Sequence, residues 1–266
     1  MLDELPRYLL PETPNYEQVI CSSHNRLNRE AFRLLGLHQD RAIALDGGPR
    51  HYRCELLITP SYIGSTGEPN AYLVELLNSL VEPLIESSVG YPEKVFISRK
   101  AAKGRRIAHE DKLFAWLEPQ GYKLIKLEDL PWQQQINVFH HAREIFAPHG
   151  AGLANLIFCS RKPTVAELFN ARYAHWCFWK LATLVGATYL PITLPLGAIV
   201  DHDIGSGSED IMINDMGEFL YYYRRCLSRL NENLPLAGQS AVGQKRAESL
   251  QRNCKREDID RCEAKP

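Results

Sequence analysis

Hydrophobic positions between residues 90 and 195 follow two alternating patterns. Short apolar runs, which are typical of buried strands, are each followed by a segment whose apolar residues recur three and four positions apart, as in an amphipathic helix. Strands that alternate with helices at this spacing are typical of right-handed βαβ units. The pattern therefore predicts an α/β fold built on a doubly wound parallel sheet.

The predicted elements of this middle region are strands and helices in strict alternation. The strands are placed at residues 94–98, 122–127, 144–147, 164–169 and 188–193. The helices are placed at residues 109–117, 131–142, 152–158 and 174–185, and Pro131 suits the first turn of its helix.

The two flanks carry weaker patterns. Helical spacing occurs at residues 26–35 and 72–85, and short apolar runs at 42–45 and 55–59 predict strands. After residue 195 a further helix is predicted at 216–230, followed by a polar, charge-rich tail. The chain thus divides into regions 1–90, 91–200, 201–237 and 238–266.

The composition is that of an ordinary globular protein. Of the 266 residues, 45% are hydrophobic and 24% are charged, with a net charge of −1. This balance provides no basic surface for DNA or RNA, so nucleic acid is not expected as the main partner. No apolar run approaches the roughly 20 residues of a membrane helix.

The cysteines and the start of the chain suggest a compartment. Seven scattered Cys without a Cys-x-x-Cys pair favour free thiols in a reducing environment, and no Asn-x-Ser/Thr glycosylation motif is present. The first residues lack the basic and apolar regions of a signal peptide. We therefore expect a cytoplasmic protein, which could still work at the inner face of a membrane through its substrate.

Basic residues cluster directly after the predicted strand 94–98. Ligands of open α/β sheets bind at the carboxyl ends of the strands. Arginine grips phosphate oxygens in a bidentate manner and lysine adds a point charge. The cluster could hold a phosphate or could be a solvated loop, and it comprises Arg99, Lys100, Lys103, Arg105 and Arg106.

A glycine-containing turn joins the strand 144–147 to the next predicted helix. Its sequence is Ala147-Pro148-His149-Gly150-Ala151-Gly152-Leu153-Ala154-Asn155. Glycines allow a ligand to approach the backbone, and the amino end of a helix offers N–H groups and a positive dipole to phosphate. The spacing matches neither Gly-x-Gly-x-x-Gly nor a P-loop, so a tight strand-to-helix turn with a satisfied histidine stays open as an alternative.

A glutamate and three histidines are further candidate groups. Glu167 lies late in the next predicted strand, where a carboxylate can accept hydrogen bonds from ribose hydroxyls or can be a strand-edge charge. His140, His141 and His149 lack the spacing of metal ligands, so no metal and no cofactor are expected. No Gly-x-Ser-x-Gly elbow occurs, and the motifs of a sugar-nucleotide epimerase or dehydrogenase are missing.

Taken in order, these segments resemble glycosyltransferase family 61. The resemblance covers roughly residues 90 to 170 and adds an early Asp-x-x-Pro-Arg stretch at Asp3 to Arg7. Its motifs are Ile97-Ser98-Arg99, Arg105-Arg106, His109-Glu110, Lys126-Leu127-Glu128, Gln135, Ala142, His149-Gly150-Ala151-Gly152-Leu153-x-Asn155-x-Ile157-Phe158 and Val165-x-Glu167-Leu168.

The resemblance implies a GT-B-like fold of two Rossmann-like lobes. Region 1–90 would be a partial amino-terminal lobe on the acceptor side, apparently truncated because the family's preceding His-Trp run is missing here. Region 91–200 would be the nucleotide-sugar-binding lobe and 201–237 a closing helical region, with 238–266 as a tail.

The resemblance also implies an activity and assigns roles. It implies an inverting, metal-independent transfer from a nucleotide sugar, with UDP as the expected nucleotide, to a glycan or lipid-linked glycan acceptor in cell-surface polysaccharide synthesis. Asp3 would be the catalytic base, with a carboxylate at the amino end of a helix as the alternative. The alternative is a truncated or degenerate member that binds nucleotide without transferring. The implied nucleotide-sugar-binding residues are Arg99, Arg105, Glu128, His149, Gly150, Ala151, Gly152, Asn155 and Glu167.

Overall fold

In the part of the chain that it describes, the computed structural model has seven strands and five α-helices with complete bounds, besides a helical stretch near residue 220. It describes residues 5–8, 18–21, 26–36, 42–44, 51–61, 63, 67–194, 209–217, 219–221 and 223–224. The strands are β1 (Val19–Cys21), β2 (Ala42–Ala44), β3 (Lys94–Ile97), β4 (Lys123–Ile125), β5 (Glu144–Pro148), β6 (Thr164–Asn170) and β7 (Thr188–Leu194). The α-helices are α1 (Arg26–Leu34), α2 (Ala71–Val81), α3 (Glu110–Leu117), α4 (Trp132–His141) and α5 (Cys177–Leu184).

Short 3-10 helices complete the list of elements. They lie at Leu5–Tyr8, Glu82–Leu84, Glu118–Gln120, Leu127–Asp129 and Ala151–Phe158. Helix α2 begins where the Asn70 side chain accepts a hydrogen bond from the Leu73 N–H at 2.9 Å, an N-cap that satisfies a free backbone donor. Gly121, with φ of 90°, ends the third of these short helices in the left-handed conformation that favours glycine.

The chain separates into two compact units. Unit 1 comprises Met1–Ser98, Leu117–Glu167 and His175–Tyr189. Unit 2 comprises Arg99–Trp116, Leu168–Ala174 and Leu190–Pro266.

The main sheet has five strands in the order β4-β3-β5-β6-β7 and is parallel. Val95 in β3 lies opposite Lys123 in β4 on one side and Ile145 in β5 on the other. β4 lies on one side of β3, and the later strands β5, β6 and β7 follow one another on its other side. The strand order therefore reverses between β3 and β5, and in doubly wound sheets the carboxyl ends at such a switch point are where ligands bind.

Unit 1 has a continuous apolar core. Trp132 and Phe139 of α4, Leu77 of α2 and Phe158 of the last 3-10 helix have no exposed surface, and the Trp132 and Phe158 rings meet edge to face at 6.0 Å. This packing fixes the last 3-10 helix, and with it the turn that follows β5.

Unit 2 has its own smaller set of buried contacts. Ile107 forms an isolated parallel bridge with Ile211, which is fully buried. The Trp116 ring meets Tyr223 edge to face at 6.0 Å. The described residues from Met216 to Arg224 are helical, in agreement with the prediction for this segment.

The structure confirms the strands and helices predicted between residues 90 and 195, with ends shifted by up to three residues. Helix α5 starts at Cys177 instead of residue 174, and the predicted helix 152–158 is a 3-10 helix over Ala151–Phe158. The two-stranded parallel sheet of β1 and β2 confirms the strand at 42–45. The strand predicted at 55–59 is wrong: these residues form no strand, and Leu56 and Leu57 are 77% and 68% exposed.

Candidate functional site

Three neighbouring strands of unit 1 bring a histidine, a carboxylate and a phenol together. His149 directly follows β5, Glu167 lies in β6, and Tyr189 lies in β7. The Nδ1 of His149 is 2.5 Å from Oε1 of Glu167, and the Tyr189 hydroxyl donates to Oε2 of the same carboxyl group. The Glu167 side chain is completely buried and that of His149 is 5% exposed. Both carboxyl oxygens are therefore engaged inside the protein.

Burial dominates the electrostatics of this group. It raises the pKa of Glu167, against the opposing effect of the His149 and Tyr189 hydrogen bonds. Burial and the Glu167 carboxyl group together raise the pKa of Tyr189 well above its ordinary value. The same two causes raise the pKa of Cys177 to about 11. The surroundings thus disfavour the negatively charged forms of Glu167, Cys177 and Tyr189.

The turn after β5 carries the predicted glycine pair. Gly150 has extended backbone dihedrals and precedes the 3-10 helix Ala151–Phe158, and its carbonyl accepts from the Leu153 N–H at 2.9 Å. A Cβ at Gly152 would come within 2.6 Å of Cδ1 of Leu127. A side chain at position 152 would therefore force Leu127 to move, a reason for glycine that the sequence pattern did not provide. Ala151 is exposed at the tip.

A short chain of amide hydrogen bonds braces this turn from behind. The Asn155 Nδ2 donates to the Gly152 carbonyl and to Oε1 of Gln135, both at 3.1 Å. Gln135 in turn donates to the Leu127 carbonyl at 2.8 Å. Asn155 is 4% exposed. The structure gives Asn155 a bracing position, and its assignment as a nucleotide-binding residue stays a prediction.

The Oδ1 atom of Asn155 adds a second observation at the same turn. It is buried and accepts no hydrogen bond from any residue in the described part of the chain. Buried acceptors without a partner are rare in proteins. Oδ1 of Asn155 is therefore a buried acceptor that the hydrogen bonds of the described residues do not satisfy.

Glu128 is separate from this group. It lies in the 3-10 turn Leu127–Asp129, and its side chain is exposed. Its carbonyl oxygen accepts from the Arg26 guanidinium at 3.1 Å. The structure brings Glu128 near neither Glu167 nor Tyr189 through any described hydrogen bond, and its predicted role in binding stays untested.

The basic cluster lies in unit 2, and part of its charge is compensated there. Arg106 binds the Asp210 carboxylate through Nε and Nη2 at 2.9 to 3.2 Å, and its backbone N–H donates to the same group. Lys100 pairs with Asp111. The cluster is therefore less cationic than its sequence suggests.

Arg99 and Arg105 also make contacts inside unit 2. Arg99 donates from Nη2 to the Gly104 carbonyl at 3.2 Å. The Arg105 guanidinium lies 4.9 Å from the centroid of the Tyr173 ring, a cation–π contact. Arg105 also has a φ of 55°, which is uncommon for a residue with a side chain. The predicted nucleotide contacts of these two arginines stay predictions.

Asp3, the predicted catalytic base, lies outside the described residues. Among the residues that are described, no three His, Cys, Asp or Glu side chains are grouped so that they could hold a metal ion. No helix in the described ranges is both long and apolar enough to cross a membrane.

Sequence reasoning missed Tyr189 and Gln135 as parts of the site. Tyr189 reaches Glu167 because β7 lies next to β6, and the strand order was not predicted. His149 also contacts the Phe178 ring of α5, at 5.1 Å between centroids. The only available signal for Gln135 was its place in the family motif.

The fold and the turn define a class of protein: an α/β domain with a five-stranded parallel sheet and a loop at the point where its strand order reverses. The family model of Glycosyltransferase 61 matches residues 1–166. The chain belongs to this glycosyltransferase family.

Two curated relatives carry the same name, EGF domain-specific O-linked N-acetylglucosamine transferase. The chain is 31% identical to the protein from Drosophila melanogaster over 97 residues, which is 35% of this chain and 18% of the fly protein. It is 27% identical to the protein from Xenopus laevis over 124 residues, 45% of this chain and 23% of the frog protein. The chain thus spans about a fifth of the length of these relatives.

Proposed function

We propose that this chain is a glycosyltransferase that binds the diphosphate of a nucleotide-sugar donor at the turn His149–Gly152. The carrying observation is the position of that turn. It follows β5 directly, at the carboxyl edge where the strand order of the parallel sheet reverses, and it opens a 3-10 helix. Backbone N–H groups at the start of a helix attract anions. Family membership supports a sugar-transfer reaction in place of other nucleotide chemistry.

The reaction we propose is an inverting transfer without a metal ion. An acceptor hydroxyl attacks the anomeric carbon from the face opposite the nucleotide diphosphate, while a carboxylate removes its proton. Asp3 remains our candidate for that base. Negative charge develops on the departing diphosphate, and the N–H groups of the turn together with His149 would offset it. Arg99 and Arg105 remain candidates for the same task.

The overall arrangement we propose is GT-B, with region 91–200 as the donor-binding lobe. The five-stranded parallel sheet supports this for the second lobe, and the parallel pair β1 and β2 supports an α/β arrangement in region 1–90. UDP is our choice of nucleotide.

For the acceptor, two sources point to a hydroxyl group. The resemblance favours a glycan or lipid-linked glycan in cell-surface polysaccharide synthesis at the inner membrane face. The relatives' name places a protein, an EGF domain, on the acceptor side of their reaction. We propose a glycan acceptor and treat a protein hydroxyl as the second candidate because of those relatives.

Calorimetric titration of the purified chain with UDP in EDTA tests the donor site. We expect binding without metal. A charged hydrogen bond contributes about 1.5–3 kcal/mol, so His149→Ala should weaken binding roughly tenfold to a hundredfold. His140→Ala is the matched control, because the His140 side chain lies on α4 and its Nε2 is hydrogen-bonded to the Ser160 hydroxyl, and the variant should bind UDP normally.

A folded wild-type chain that does not bind UDP would contradict the donor-site assignment. Binding without any sugar transfer, in a screen of UDP-sugars against glycan and protein acceptors, would favour the alternative of a degenerate family member.

A further inference from the structure

The contact between the buried side chains of His149 and Glu167 bears on which nitrogen of the His149 imidazole carries a hydrogen. Oε1 of Glu167 lies 2.5 Å from Nδ1 of His149, so a proton lies between these two atoms. In one arrangement that proton is on Nδ1 and the pair is an imidazolium with a carboxylate. In a second it is on Oε1 and both groups are neutral. In both, the pair has no net charge and Nε2 carries a hydrogen.

A third arrangement would leave Nε2 without a hydrogen. It combines an ionised Glu167 with a neutral imidazole protonated only at Nδ1, and it is the arrangement by which a carboxylate turns a histidine into a general base. It places an uncompensated negative charge on a side chain with no exposed surface. Within the described residues, His149 and Tyr189 supply the hydrogen bonds that Glu167 accepts. Two donors are a small set for a buried carboxylate, so burial disfavours this arrangement.

We propose that Glu167 is a positioning residue for nucleotide binding, which acts by keeping a hydrogen on Nε2 of His149. His149 then offers a donor to an oxygen of the diphosphate, and it is not a general base. Tyr189 assists because its hydroxyl bonds Oε2 and leaves Oε1 for the imidazole. This inference rests on the proposed diphosphate site, and it gives Glu167 a role different from the ribose contact that the sequence suggested.

The surroundings of the pair fit this assignment. A ribose hydroxyl could reach Glu167 only by displacing His149 or Tyr189, because both carboxyl oxygens are already bonded and the side chain is fully buried. In the described part of the chain, Cys177 interacts electrostatically with Glu167 and His175 with His149. Burial lowers the pKa of His175, with His149 as a further cause.

The test compares three ligands that separate phosphate from ribose: UDP, inorganic pyrophosphate and uridine. Glu167→Met replaces the carboxyl group by an apolar chain of similar length. We expect it to weaken UDP and pyrophosphate binding by the same factor, about tenfold, and to leave uridine binding unchanged. The matched control is Glu144→Met in β5, because Glu144 also accepts from a tyrosine, Tyr122, at 2.7 Å, and it should change none of the three affinities.

A double-mutant comparison shows whether Glu167 works through the imidazole. His149→Gln places an amide N–H₂ near the position of Nε2 without a titratable ring. In the His149→Gln background, Glu167→Met should cause no further decrease in pyrophosphate affinity. Loss of UDP and uridine affinity with pyrophosphate unaffected would instead show a direct ribose contact and overturn the proposal, as would three unchanged affinities.

Nitrogen NMR of His149 provides a readout that does not depend on ligand binding. Imidazole ¹⁵N shifts and couplings report which nitrogen is protonated. In the wild-type chain at pH 8 we expect Nε2 to carry a hydrogen; an Nε2 lone pair with a hydrogen on Nδ1 alone would overturn the inference. If the wild-type chain binds neither UDP nor pyrophosphate, the proposed function fails, and this spectrum still decides the charge arrangement.

Discussion

The acid–base pair at the candidate site in unit 1 is far better removed from water than two ion pairs of unit 2. In unit 1, His149 and Glu167 are 5% and 0% exposed. In unit 2, the side chains of Arg106 and Asp210 are 27% and 11% exposed, and those of Lys100 and Asp111 are 62% and 81% exposed. Buried charges must be neutralised and hydrogen-bonded, whereas exposed charges are screened by solvent and salt. We therefore expect the unit 1 pair to control protonation and stability and the unit 2 pairs to contribute little.

The largest expected effect is loss of the buried carboxyl group. Glu167→Met leaves the His149 ring nitrogen and the Tyr189 hydroxyl without their partner, and an unsatisfied buried donor costs about 1–3 kcal/mol. We expect the free energy of unfolding in urea to fall by about 2–4 kcal/mol. Raising NaCl should not change this difference, because the pair is buried.

The double variant Glu167→Met with Tyr189→Phe is the control. Tyr189→Phe removes the hydroxyl that Glu167→Met leaves without a partner. The double variant should therefore lose less unfolding free energy than the two single variants lose in sum. Strict additivity would show that Tyr189 and Glu167 do not depend on each other.

The next effect concerns packing of the turn in unit 1. In Gly152→Ala the new Cβ would lie 2.6 Å from Cδ1 of Leu127. Overpacking of this kind costs about 1–3 kcal/mol, measured as a lower free energy of unfolding. Leu127→Val lacks the clashing atom, so Gly152→Ala should cost less in that background; an equal cost in both would mean that Leu127 is not the obstacle.

The smaller effect belongs to the bidentate pair of unit 2. Arg106→Met removes the side-chain hydrogen bonds to Asp210 and keeps the bond from the backbone N–H, and a partly exposed pair of this geometry contributes about 1 kcal/mol. The loss in unfolding free energy should shrink as NaCl rises from 0.05 to 0.5 M. A salt-independent loss as large as that of Glu167→Met would remove the contrast between the Arg106–Asp210 pair and the His149–Glu167 pair.

The smallest effect is expected for Lys100→Ala. Both partners of its pair with Asp111 are largely exposed, and such pairs contribute about 0–1 kcal/mol. Urea unfolding of this variant should coincide with that of the wild-type chain within about 0.5 kcal/mol. A larger loss of unfolding free energy would indicate that the apolar part of the Lys100 side chain also stabilises unit 2 by packing.

The sequence predicted the regular part of the fold because periodicity reports burial. β3, β5, β6 and their intervening helices have strong apolar patterns, and all were found. The strand at 55–59 was predicted from the same signal, yet Leu56 and Leu57 are exposed. An apolar run becomes a strand only if another strand pairs with it, and a local pattern contains no information about the partner.

The site was predictable only where its chemistry is local. The turn His149–Gly152 was found because the glycines and the preceding strand are adjacent in sequence. Glu167 was found as a residue, but its bonds to His149 and Tyr189, 18 and 22 positions away, depend on strand order. Asp210 was missed altogether, because it meets Arg106 across 104 residues. Likewise Gly152 was explained by ligand approach, whereas the structure shows that a Cβ at this position would collide with the Leu127 side chain.

The most direct test of the central claim is a titration of the ¹⁵N-labelled chain with UDP in EDTA, followed by amide NMR. If the turn after β5 holds the diphosphate, the backbone amides of His149 to Gly152 should show the largest shifts, and those shifts should saturate together. Saturable binding that leaves these amides unchanged while resonances elsewhere move would contradict the account.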